Sequence, residues 1–232
     1  MRKELEHHYI EGSYGGNQEW FIGPMMKLGG CGAETACESS IYFANYFGMK
    51  HLYPFDLSHL TVEDYKKFGA IMKPYLSPRM TGIDRLDIFI DGYLSYLKDR
   101  GETGIEMREF SGDNSFESAR DKVIKQIDNG YPIPMLMLNH RDKRYKDYDW
   151  HWFIVDGYAE GTEAPPPGPW SGAGCAASNS ISPDGSERFY IKTATYSEWD
   201  WFDLEYFWNT GHDRKGGLVI FDIKGNGNSK YE

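Results

Sequence analysis

Cysteine is scarce in this chain: three residues in 232, at positions 31, 37 and 175. They are too few and too unevenly spaced to form a disulfide framework. Long apolar runs are missing too. Nothing approaches the length that spans a bilayer, and the opening Met1-Arg-Lys-Glu-Leu-Glu-His-His8 lacks the apolar centre of a secretory leader. The expectation is a reducing, cytoplasmic setting with no membrane insertion. Positive charge is in deficit, with 25 Lys and Arg against 35 Asp and Glu and a net charge of −10. Nucleic-acid backbones and anionic membranes are held by cationic surfaces, so neither is expected as a partner. The basic run Arg141 to Lys146 is short and reads as a solvated loop. No Gly-rich loop ends in Lys-Ser or Lys-Thr, which removes support for nucleotide hydrolysis. No pair of cysteines or histidines has the spacing of zinc ligands, and His7-His8 reads as part of the terminus. No cofactor or metal is expected, and no internal repeat is visible.

Hydrophobic residues make up 40% of the chain and aromatics 16%, enough for a substantial core. The whole of 1–232 reads as one domain, with a helical elaboration at about 49–130 and a loop insertion at about 160–186. Between Leu28 and Gly48, small and apolar residues (Ala33, Ala36, Cys37, Ser40, Ile41, Ala44, Phe47) recur at helical steps. This predicts a helix with one closely packing face, capped by Gly48. Further helices are expected over 60–73 with Thr61 as cap, over 82–101, and over 115–129 between Ser115 and Gly130. Strands are expected at 104–110, 132–138, 150–158, 188–195 and 216–223, the second and third buried on both faces. Residues 201–208 read as a short aromatic helix or turn. Helices early and strands late predict an α+β fold with an antiparallel sheet.

Cys31 stands between two glycines at the start of the small-residue helix. A thiol in a first turn meets unpaired backbone N–H groups and the positive end of the helix dipole, which favours the nucleophilic thiolate. The flanking glycines leave room for a substrate backbone. His151 opens a buried strand between two tryptophans, and a thiol at a helix start with an imidazole at a strand start supplies nucleophile and proton carrier. Gln18, thirteen residues before Cys31, is within reach to fold back and donate a hydrogen bond near it.

Together, Gly30-Cys31-Gly32 before a small-residue helix, the strand His151-Trp-Phe-Ile-Val-Asp-Gly-Tyr158, and the strand Phe189-Tyr-Ile-Lys-Thr193 resemble the papain-like cysteine peptidases. The resemblance is nearest to the bacteriocin-processing (double-glycine leader) peptidase-like group and spans roughly 15–48 and 130–223. It implies a papain-like fold and a hydrolase acting on a peptide or amide bond of a peptide or protein substrate. Cys31 would be the nucleophile, His151 the base and acid, and Gln18 the oxyanion donor, with Asn17 competing for that place. Where the group has Asp or Asn after the third strand, this chain has Lys192-Thr-Ala-Thr-Tyr-Ser197. Thr193 and Thr195 are the candidate acceptors for the imidazole, with Asp200 further on. That departure also suits an inactive, peptidase-like binding module that recognises a peptide or protein.

Overall fold

Every residue from Cys31 to Ala44 is buried in the helix that the small-residue stretch forms. The computed structural model describes residues 1–79, 82–169 and 186–224. Most of the expected loop insertion, and Cys175 with it, lies outside the described residues. A short α1 (Pro24–Gly29) leads into this buried helix, α2 (Cys31–Tyr46). The expectation of one close-packing face is exceeded, because small side chains let neighbours approach α2 from all round. Ser39 and Ser40 satisfy their hydroxyls within the helix, on the carbonyls of Thr35 and Ala36. Glu34 and Glu38 are carried into the interior with the rest.

The helices that follow begin where local chemistry places them. Thr61 caps α3 (Val62–Met72), and Ser115 caps α5 (Phe116–Asp128). Between them α4 (Leu86–Asp99) starts four residues later than the pattern suggested and stops before Gly101, whose φ of +81° suits glycine.

The strands of the main sheet are β1 (Arg2–Glu4), β4 (Ile105–Ser111), β5 (Ile133–Met137), β6 (His151–Gly161), β7 (Arg188–Thr195), β8 (Glu198–Asp203) and β9 (Gly217–Ile223). A small hairpin joins β2 (Tyr9–Ile10) to β3 (Ser13–Tyr14). Among the described residues the main sheet is antiparallel, in the order β4-β9-β5-β6-β7-β8, with β1 added beside β6. Alternation along β5 sends Ile133, Met135 and Met137 to one face, where they pack with α5 and α6 (Leu204–Trp208). Leu136 and Leu138 join α2, α3 and α4 on the other face. The sheet is therefore covered on both sides, as the continuous apolar character of β5 and β6 required. This mixed, antiparallel architecture is compatible with the α+β class. No described helix is long and apolar enough to cross a membrane.

Two expectations are corrected here. Residues 198–203 form strand β8, and the helix starts only after Asp203, whose carboxylate accepts from the backbone N–H of Glu205 and Tyr206. His7 and His8 are not a solvated terminus. Pairing of β1 with β6 and folding of the β2–β3 hairpin bury both side chains, which are 4% and 2% exposed.

Candidate active site

The fold brings the start of α2 against the start of β6. Cys31 is the first residue of α2, and its Sγ accepts from the backbone N–H of Trp152, the neighbour of His151. His151 is the first residue of β6 and is buried. Its Nε2 lies 2.7 Å from Thr195 Oγ1 at the end of β7. The turn that follows is a two-residue hairpin in which Tyr196 and Ser197 have φ of +51° and +66°. Asn and Gly are the usual occupants of such a turn. This turn lays the Tyr196 ring on the His151 ring, with centroids 4.7 Å apart and planes within 3°. Imidazole, threonine and tyrosine thus form one group, which the thiol adjoins through the backbone N–H of Trp152.

Thr193, the alternative to Thr195, is not part of it. Its hydroxyl is 2.8 Å from the Tyr148 hydroxyl and its position pairs with Asp200 in β8. Asp200 is engaged elsewhere, accepting from the backbone N–H of Gly168 and Trp201. Gln18 is buried in a 310 turn before α1, and its Nε2 donates to the Lys27 carbonyl at 3.0 Å. One of its two amide hydrogens is thereby used inside the protein. Asn17 caps that turn, accepting from Glu19 N–H.

Glu34, which the sequence reading did not single out, ties these pieces together. Its buried carboxyl accepts from the backbone N–H of Tyr196 and Gln18. Burial, with Glu38 nearby, pushes that carboxyl well above the usual range. The available signal was the pair Glu34 and Glu38, four apart inside an otherwise small and apolar helix.

The electrostatics correct the expectation of a resting thiolate. Burial pushes the Cys31 thiol up to about 11, outweighing the backbone N–H groups of Trp152, Gly32 and Cys31. Burial alone takes His151 down to about 3. At neutral pH the resting pair is thiol and neutral imidazole. The glycines also serve packing rather than access. A Cβ on Gly30 would come 2.2 Å from the Met26 carbonyl oxygen, and one on Gly32 would press on Ile83 at 3.0 Å.

Access to Cys31 comes from another direction. It lines a cleft of about 360 Å3 with Met25, Leu28, Gly29, Arg79, Gly82 and Trp150. Leu28 is 81% exposed, and Met25 and Trp150 are also exposed, so the cleft presents an apolar surface with one cation at its rim. Compared with protein-family models, curated proteins and solved structures, the chain matches none of them.

Proposed function

We propose that this chain is a papain-like thiol hydrolase that cleaves a peptide or amide bond. The observation that carries the reading is the buried thiol at the first turn of α2, lining an apolar cleft and accepting from the backbone N–H next to His151, whose ring is fixed by Thr195. With His151 Nε2–H donating to Thr195, Nδ1 holds the lone pair and acts as the base. Because the resting pair is neutral, His151 takes the thiol proton as Cys31 Sγ bonds to the substrate carbonyl carbon. The oxyanion is met by backbone N–H groups at the start of α2 and by the free hydrogen of the Gln18 amide. The imidazolium then gives its proton to the leaving amine as the C–N bond breaks, and water releases the acyl group from sulfur. A threonine holds the ring but does not offset imidazolium charge as a carboxylate does, so turnover is slow. The cleft favours an apolar side chain beside the scissile bond.

The test is covalent labelling of the full chain by peptidyl acyloxymethyl ketones, read by intact mass. The expected result is a single adduct on Cys31, faster with Leu or Phe than with Asp or Lys next to the ketone, and at least ten-fold slower in His151→Ala. Labelling no faster than that of a simple alkylator, and unchanged in a folded His151→Ala variant, overturns the reading.

The neutral state of the pair favours one other reading, a peptide-binding module built on the same cleft. Its mark is reversible binding of apolar peptides that Cys31→Ser leaves intact, with no adduct in the labelling experiment.

A further inference from the structure

A second cluster joins the same two elements, further along each. Glu38 lies seven residues beyond Cys31 on α2, and Asp156 five beyond His151 on β6. Asp156 sits at an irregularity of register between Val155 and Gly157, the kind of bulge that re-aims a side chain. The N-terminal segment brings His7 and His8 onto this pair, their rings stacked with centroids 4.8 Å apart.

The donor atoms converge on one point. Glu38 Oε2 lies 3.4 Å from His7 Nε2 and 3.1 Å from His8 Nε2, and one ligand atom from each of the three residues falls within 4.8 Å of the others. Two of these distances match the edge of a tetrahedron, about 3.3 Å, around an ion with bonds of about 2.0–2.1 Å. Both Nε2 atoms are buried and meet Glu38 Oε2 in ion-pair contacts, in a geometry that leaves each short of a well-formed hydrogen bond, and the buried His8 Nδ1 has no hydrogen-bond partner. Donor atoms that converge on one another without good hydrogen-bond geometry call for an explanation, and a bound ion is one.

The surroundings orient the donors as ligands are usually oriented. His7 Nδ1, the nitrogen facing away from Glu38, lies 3.1 Å from Asp156 Oδ2, giving a carboxylate–histidine pair. Asp156 is fixed by the Tyr14 hydroxyl, which donates to it at 2.5 Å. Glu38 is fixed through its other oxygen, which accepts from Gly16 N–H at 3.0 Å. Gly15 leaves the space the donors need: a Cβ there would stand 2.5 Å from Glu38 Oε2 and 2.8 Å from His7 Nε2. Two carboxylates face two imidazoles, so a divalent cation neutralises the cluster with both rings in their ligating, neutral form.

We propose that His7, His8 and Glu38 bind one divalent transition-metal ion, zinc by the chemistry of two imidazoles and a carboxylate, pinning the N-terminal segment to α2 and β6. The role is structural and independent of the hydrolase reading.

The test is titration of the untagged, EDTA-stripped full chain with Co2+, read by visible absorption and stoichiometry, with thermal melting with and without Zn2+. One Co2+ per chain is expected, displaced by Zn2+, with a melting temperature raised by Zn2+. His8→Phe keeps the ring stack and removes the nitrogens. It is expected to fold, to lose Co2+ binding, and to have a melting temperature that no longer responds to Zn2+. Asp156→Asn is expected to retain the fold and weaken Co2+ affinity about 10- to 100-fold. The proposal is overturned if the folded wild type binds no Co2+, or if His8→Phe and Asp156→Asn both bind it with undiminished affinity.

Discussion

Exchanging His151 for glutamine tests, through the sign of a stability change, whether burial holds the imidazole below its ordinary range. In the unfolded chain the imidazole titrates near 6.5, whereas burial holds it at about 3 in the fold. Between these values the unfolded chain binds the extra proton, so acidification favours unfolding. From pH 7 to pH 5 this one side chain removes about 2 kcal/mol, and by pH 3 the loss reaches about 4 kcal/mol, at about 1.4 kcal/mol per pH unit between the two values. Glutamine keeps a polar group that can reach Thr195 and does not titrate. Urea unfolding of the two proteins at pH 7, 6 and 5 gives the comparison, since groups present in both cancel in the difference. The expected result is a wild type that loses about 2 kcal/mol more than His151→Gln between pH 7 and 5. A thiolate–imidazolium pair holds the same number of protons as the neutral pair and would give the same slope, so the alkylation rate of Cys31 separates those two states. A constant difference, or a wild type stabilised by acid, refutes the argument that burial keeps the imidazole from taking up its own proton.

Other consequences are measurable in the same proteins. With its thiol near 11, Cys31 should react with iodoacetamide at pH 8 about 10- to 100-fold more slowly than an open thiol, and at the ordinary rate in urea. Equal rates in the folded and unfolded protein would show that burial does not protect it. Thr195→Val strips the partner from a buried ring nitrogen, costing about 1–3 kcal/mol in urea unfolding, and slows peptidyl ketone labelling. Thr193→Val breaks the contacts of its hydroxyl with the Tyr148 hydroxyl and the Asp200 carbonyl, so it should lower stability and leave labelling unchanged. Gln126 bonds both backbone groups of Phe221 at 2.9 Å, and Gln126→Leu should cost about 2–5 kcal/mol in the same assay.

The choice between Thr193 and Thr195 shows where the sequence stops being informative. Two residues apart on one strand, they share a face by periodicity, so no local pattern separates them. The pairing of Thr193 with Asp200 and the hairpin at Tyr196–Ser197 separate them, leaving Thr195 at the strand end beside His151. Gln18 is a similar case. Its distance along the chain allowed a return toward Cys31, but the bond to Lys27 depends on how the 310 turn packs on α1. The adjacent histidines gave no usable signal at all. Residues next to each other lack the separation that marks ligands in a sequence, and it takes the β1–β6 pairing together with the β2–β3 hairpin to bury both.

The sequence by itself determined the elements whose causes lie within a few residues. Thr61 and Ser115 start α3 and α5, glycines at 48, 101 and 130 follow helix ends at positive φ, and unbroken apolar runs make β5 and β6 central strands. It also placed a thiol at a helix start and an imidazole at a strand start. Tertiary structure alone decided which side chains accompany them, that Glu34 and Glu38 are interior, and that the thiol and imidazole rest uncharged. The physical reason is range. Caps and periodicity are short-range effects that a few neighbours settle, whereas the desolvation that moves Cys31 and His151 is a sum over every segment packed around them.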